Sequence, residues 1–308
     1  MIKLMTVAAC LTAMSTVPGL PADTAQDPVV ASETSGSVAA DDPLTRPMEM
    51  ERATRWLAPL PPEKVFGNTY LVGFRGLSVA LIDTGAGLVL IDGALPQAEP
   101  AILENVRALG FDPKDIKFIL STEPHYDHSG GIAALARDTG ATVIASARGA
   151  DGLRAGVLLE DDPQLAYGGS WPRVTQVRVV ADSEVIQLGH AAITAHATPG
   201  HTMGSLSWSW QACEAGDCKA VVFASSLNPA SADGYRYTAP SSAPIVQAFA
   251  ASHALMDGLA CDILISAHPD NVGEGRYSDA AGACHAYVER SRGLLATRLE
   301  RERNGTAK

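Results

Sequence analysis

Four side chains able to bind divalent metals, Glu123, His125, Asp127 and His128, fall within six positions of the run Ser121-Thr122-Glu123-Pro124-His125-Tyr126-Asp127-His128. Imidazole nitrogen and carboxylate oxygen are, with thiolate, the ligands that zinc takes, and a catalytic zinc keeps one position open for water. No cysteine lies nearby, which points to an open hydrolytic site rather than a closed structural one. A single His-x-Asp-His also fits a solvated polar loop whose side chains only hydrogen-bond, so ligands from elsewhere in the chain decide. Two further stretches supply them: Ala197-Thr198-Pro199-Gly200-His201-Thr202-Met203-Gly204-Ser205 and Ile263-Leu264-Ile265-Ser266-Ala267-His268-Pro269.

The surrounding elements have to bring these residues together. Ile116-Lys117-Phe118-Ile119-Leu120 is short, apolar and β-compatible, which puts the first cluster in a loop at the end of a buried strand, with Gly130-Gly131 opening a helix after it. His201 follows a strand-like segment and His268 ends another apolar run, so three strand-end loops each offer imidazole. Short β runs at Tyr70 to Gly73, Ser78 to Ile82 and Gly87 to Asp92 precede a stretch of helical spacing from Gln97 to Leu109. Strand character returns over Val174 to Ile193, Ser205 to Trp210 and Val221 to Ala224, before helices near Pro244 to Leu259 and from Asp279 to Arg301. Two such halves predict an α/β protein with two sheets packed face to face and helices outside. The Gly-rich segment from Gly156 to Pro172 is expected to be a loop flanking the pocket, with Trp171 packed in the core. Asp92 is either a partner for a metal-bound histidine or an ordinary turn aspartate.

The three motifs, in this order, resemble the metallo-β-lactamase superfamily, whose pattern is HxHxDH, then a Gly-His after a Thr-Pro turn, then a final His after a strand. The resemblance runs from about Pro61 to His285. It implies an αβ/βα sandwich of two mixed β-sheets and two zinc ions per chain. The first would be held by Glu123, His125 and His201, the second by Asp127, His128 and His268. Glu123 is a departure, standing where the family has its first His. A carboxylate is a legitimate zinc ligand at roughly 2.0–2.2 Å, so the replacement can preserve the site while making the first metal a weaker Lewis acid. The alternative has Glu123 pointing away and that metal loosely held or absent. His190, His196 and His253 are expected to be structural or to support the ligands.

Many thioesterase and nuclease branches of this superfamily bridge their metals with an Asp after a later strand. Here that stretch reads Val221-Val222-Phe223-Ala224-Ser225-Ser226-Leu227-Asn228, without a carboxylate. Ser226-Leu227 resembles subclass B3, as do Thr198-Pro199-Gly200-His201-Thr202 with Gly204-Ser205, Gly234-Tyr235-Arg236, and Cys261 with Cys284. The nearest match is the variant group of that subclass with Glu in the first ligand position. The resemblance implies zinc-dependent hydrolysis of the β-lactam ring of penicillins, cephalosporins and carbapenems. Asp127 would orient the attacking water and accept its proton, and Tyr235 would help stabilise the oxyanion. Ser226 and Asn228 would bind the substrate carboxylate, with Arg236 as a weaker candidate. An exported hydrolase of lactones or other esters, or a non-catalytic zinc-binding protein, is the alternative.

Composition agrees with a hydrolase of small molecules. The net charge of −11 and pI near 5.1 argue against a nucleic-acid surface, where a basic stripe is expected. Residues 1–22 have the layout of a secretory signal, with Lys3 before an apolar run from Leu4 to Val17 that is too short to span a bilayer. Val7-Ala8-Ala9-Cys10 is a poor lipoprotein box, since cleavage there would leave almost no hydrophobic region. The expected product is a periplasmic monomer without a stable membrane anchor: a flexible segment over 23–60, then one domain over 61–308. Four cysteines remain after the leader, an even number in an exported chain. Cys213 and Cys218 flank a turn-like insert and pair most simply across a hairpin. The pairing of Cys261 with Cys284 is implied by the resemblance.

Overall fold

The structure, a computed structural model, describes residues 42–273 and 275–306. The expected leader and the residues up to 41 lie outside that range. Two sheets carry the fold. The first has seven strands in sequence order: β1 (Glu63–Phe66), β2 (Thr69–Leu71), β3 (Ala80–Asp83), β4 (Leu88–Ile91), β5 (Ile116–Leu120), β6 (Thr142–Ala145) and β7 (Val177–Val179). The second has five, β8 (Val185–Leu188), β9 (Ala191–Ala197), β10 (Leu206–Glu214), β11 (Asp217–Ala224) and β12 (Ile263–Ser266), with β12 at one edge beside β11. Strands β4 to β7 run parallel, as do β11 and β12, while the remaining neighbours are antiparallel.

Parallel neighbours need crossovers, and helices supply them. The chain has seven α-helices among its described residues: α1 (Ala53–Trp56), α2 (Glu99–Ala108), α3 (Tyr126–Ser129), α4 (Ile132–Thr139), α5 (Ala147–Ala155), α6 (Ala243–Asp257) and α7 (Ala283–Arg303). Helices α2, α4 and α5 cross between strands of the first sheet, and α6 joins β11 to β12. Between the sheets lies one apolar layer, in which Ile82, Val89, Ile91, Leu120 and Ile144 meet Ile193, Trp208, Phe223, Ile263 and Ile265. Helices α2 and α4 bury a second layer on the outer face of the first sheet. This is the expected αβ/βα sandwich of two mixed sheets.

Two bridges are formed, Cys213–Cys218 across the β10–β11 hairpin and Cys261–Cys284 between the start of β12 and α7. No helix of the described residues is long and apolar enough to cross a membrane. One expectation is corrected at the N-terminal end. The segment expected to be flexible up to residue 60 contains α1, because Trp56 is buried there and anchors the helix.

Glu99, at the first turn of α2, makes a stability prediction. Its side chain is buried, and burial together with the Asp138 carboxylate beside it pushes its pKa up to about 7. A carboxyl that holds its proton more tightly when folded contributes stability that is complete below its ordinary range near 4.5 and is lost as pH rises through about 7. Glu99→Gln is therefore expected to leave stability unchanged at pH 5 and raise it by about 1 kcal/mol at pH 8. Urea unfolding of both proteins at the two pH values checks it, and an equal difference at both would contradict it.

Candidate metal centre

The carboxyl ends of β4, β5, β9, β11 and β12 gather along one edge of the sandwich, where parallel strands direct their following loops to the same side. The loop after β5 is shaped by backbone. Pro124 and an extended His125 lead into the single turn of α3, which carries Asp127 and His128. Gly93 N–H donates to the His128 carbonyl at 2.8 Å, and Gly131 N–H to the Ala94 carbonyl at 3.1 Å. A Cβ on Gly131 would lie 2.3 Å from the Gly93 carbonyl oxygen, so this close approach requires glycine. Across the sheets, Leu206 N–H donates to the Thr122 carbonyl at 2.7 Å and the Trp208 indole N–H to the Ser121 carbonyl at 3.3 Å. The loops are thereby tied to one another and not only to their own strands.

Six side chains form two groups. Glu123, His125 and His201 are one, Asp127, His128 and His268 the other, and within each group the donor atoms lie within 4.8 Å of one another. All are buried except His268, which is partly so. His125 Nδ1 stands 3.2 Å from His201 Nε2, and the Nε2 atoms of His128 and His268 are 3.1 Å apart. Imidazole nitrogens converging this closely, with carboxylates beside them, make the donor set of a divalent transition metal, and the residues fit the group the motifs imply.

Charge follows the same logic. Burial would push Glu123 up, but His128, His201 and His125 around it hold it well below the usual carboxylate range. Burial acts against Asp127 too, and His128, His268 and His125 likewise keep it well below that range. Burial pushes His201 down, whereas against burial Asp162 holds His125 up and Glu123 and Asp127 hold His128 well above its ordinary value.

The ligands have partners of their own. Asp92 is fully buried at a left-handed φ of 65°, a conformation that costs a non-glycine residue about 1–3 kcal/mol. Its carboxylate accepts from Thr122 N–H at 2.7 Å and the Thr122 hydroxyl at 2.6 Å, and lies 3.5 Å from His128 Nδ1. The strained turn thus fixes the loop and one ligand together. Asp162, which the motifs do not reveal, lies 2.7 Å from His125 Nε2. It belongs to the loop between α5 and β7, and its only sequence signal is an acid in the segment expected to flank the pocket. His201 Nδ1 is 2.8 Å from the Asn228 carbonyl.

A cavity of about 220 Å³ opens over both groups. Asp127, His125, His201, His268 and Asn228 line it, joined by Gln164 and Tyr167 from the flanking loop and by Arg52, Arg55 and Trp56 from α1. Two expected site residues, the substrate-binding Ser226 and the oxyanion-stabilising Tyr235, stand elsewhere. Ser226 is buried and donates its hydroxyl to Glu123 Oε1 at 2.8 Å, so its proton serves the ligand and does not face the cavity. Tyr235 packs on Tyr237 at 5.0 Å and lines a separate cavity with Glu160, Ser242 and Pro244. The reason is α7: Glu302 accepts from Tyr237 N–H at 3.1 Å and Thr238 N–H at 2.8 Å, drawing that strand of chain away from the metal groups. Arg236 is exposed beside it. His196 contacts Ser209 Oγ across β9 and β10 at 2.7 Å, and His253 contacts Ser291 Oγ at 2.7 Å. His190 faces Asn68 at 3.5 Å. Trp171 is buried, as expected.

A family model for the metallo-beta-lactamase superfamily matches residues 63–209. Among solved structures the chain is similar to one described as the first B3 metallo-β-lactamase with an active-site glutamic acid, at 74% identity over 85% of this chain and 99% of that one, with a TM-score of 0.84. It is similar to the Rm3 metallo-β-lactamase at 38% identity, covering 83% of this chain and 100% of the other with a TM-score of 0.79. For a subclass B3 enzyme of Bradyrhizobium japonicum the values are 29% identity, 82% and 99% coverage, and a TM-score of 0.71. A hydroxyacylglutathione hydrolase of Anaeromyxobacter dehalogenans is 31% identical over 131 residues, which span 42% of this chain and only 41% of that protein. With its candidate ligands at the ends of β5, β9 and β12 and a glutamate in first place, the chain belongs to the metallo-β-lactamase superfamily and, within it, to the subclass B3 group that carries this glutamate.

Proposed function

We propose that this chain hydrolyses the β-lactam ring of penicillins, cephalosporins and carbapenems with two zinc ions, one held by Glu123, His125 and His201 and the other by Asp127, His128 and His268. The observation that carries this reading is the pair of three-ligand groups side by side under one cavity. Zinc, when bound, makes water acidic near neutral pH and polarises a carbonyl.

The chain's residues supply the rest. Asp127, held ionised and lining the cavity, orients the attacking water and accepts its proton. Asp162 and the Asn228 carbonyl orient the rings of His125 and His201. The Asn228 and Gln164 amides, both on the cavity wall, offer donors and acceptors to a substrate in it. The buried Asn228 Oδ1 has no partner among the described residues, which leaves it available to an N–H of the ligand. Tyr235 drops out as an oxyanion donor because it faces another cavity.

The same reading makes the mature chain an exported, periplasmic monomer. Its two disulfides support an oxidising compartment.

The test is hydrolysis of one penicillin, one cephalosporin and one carbapenem by the purified mature protein, with zinc titrated in. Turnover is expected to rise with zinc and to be abolished by EDTA. No β-lactam turnover at any zinc level, with turnover of a chromogenic lactone, would replace this reading with an ester hydrolase.

A further inference from the structure

We infer that Arg52 and Arg55, neighbours one turn apart at α1, form a cationic rim that receives the carboxylate of the β-lactam at the mouth of the metal cavity. The inference rests on the hydrolase reading above. Penicillins, cephalosporins and carbapenems all present a ring carboxylate that is ionised at neutral pH. The chain as a whole, with a net charge of −11, repels such an anion. The cavity wall is balanced instead: among the described residues that line it, Arg52 and Arg55 are the only arginine or lysine side chains, against the carboxylates of Asp127 and Asp270. Both arginines are exposed, and the ion-paired arginines of the described residues are others, from Arg137 with Asp42 to Arg298 with Glu302. The hydroxyl expected to receive the carboxylate, that of Ser226, is committed to Glu123.

The rim is also fixed in place. The Trp56 ring packs at a tilt 5.7 Å from the His268 ring and 6.5 Å from that of Tyr126. Gly76 N–H donates to the Trp56 carbonyl at 3.2 Å, and His268 Nδ1 lies 3.2 Å from the Gly76 carbonyl. The Arg52 guanidinium sits over the Trp56 ring at 5.9 Å. A cation is thus held one aromatic ring away from a candidate ligand of the second group, where its charge attracts an anion entering the cavity.

The test uses the zinc-loaded mature protein, the R52Q/R55Q and R52K/R55K double variants, and two penicillins on one scaffold, benzylpenicillin and carbenicillin. Carbenicillin carries a second carboxylate on its side chain. At about 20 mM salt, R52Q/R55Q is expected to raise KM about fivefold for benzylpenicillin and about twentyfold for carbenicillin, with kcat within about twofold of the unaltered protein. Added salt should raise KM of the unaltered protein and leave that of R52Q/R55Q nearly flat. R52K/R55K should retain most of the affinity, since charge is what matters at this range. Zinc content should be the same in all three. Unchanged KM and salt dependence in R52Q/R55Q would overturn the inference, as would R52K/R55K falling equally far or R52Q/R55Q losing zinc. Absence of benzylpenicillin turnover by the unaltered protein would instead sink the hydrolase reading itself, and the rim's substrate with it.

Discussion

Asp127→Asn is expected to lower kcat about 10²- to 10⁴-fold on every β-lactam the protein hydrolyses, the range for losing a positioned general base. Asparagine keeps the shape of the side chain and removes its charge, so the loss reports on protons and ligation rather than on packing. The proposed mechanism gives Asp127 both tasks. Its Oδ2 lies 3.4 Å from His268 Nε2 and 3.7 Å from His128 Nε2, which makes it a member of the second group. Yet it is also on the cavity wall, and the surrounding imidazoles hold it ionised against the effect of burial. Saturating zinc separates the two tasks. If the variant recovers full kcat once zinc is in excess, Asp127 only ligates; if the deficit persists with two zinc ions bound, it moves the proton.

The parts of this site legible in the sequence are those written locally. Strand β5 coincides with the expected Ile116–Leu120, because a run of apolar residues bounded by polar turns has few other uses. The two-group arrangement of ligands follows the same order as the motifs. Helix starts were displaced where the chain needs a turn before the helix. The long C-terminal helix begins at Ala283 rather than Asp279, after Gly282 adopts a left-handed φ of 80°.

What remained illegible was decided by contacts distant in sequence. Tyr235 follows a glycine in a stretch that resembles subclass B3, but a carboxylate on α7, Glu302, holds the neighbouring backbone away. Asp162 reads as one acid among several in an aperiodic loop until His125, 37 residues earlier, is found beside it. Helix α1 is four residues long, too short for periodicity, and only the burial of Trp56 against the His268 ring gives it a place. Each of these lies around the ligands rather than among them, where motifs carry no signal.

Glu123 is where sequence and structure meet most closely, and it carries the second large expectation. Glu123→His should lower the zinc concentration for half-maximal activity about tenfold, with the gain in rate confined to low zinc. In the native chain the carboxylate is shared: Ser226 donates to Oε1 at 2.8 Å, Ser205 to Oε2 at 3.4 Å, and His128 Nε2 lies 2.8 Å from Oε1. Lone pairs engaged in this way are less free for a metal, and their negative charge weakens the acidity of whatever water that metal would hold. An imidazole offers one neutral nitrogen without that competition. It leaves the Ser226 hydroxyl without its acceptor, which costs about 1 kcal/mol of stability and should appear as a modest fall in melting temperature. The two readouts therefore move in opposite directions, tighter zinc with a less stable fold. A zinc titration that superimposes on that of the native protein would show that Glu123 is no ligand and that the first group is built on His125 and His201 alone.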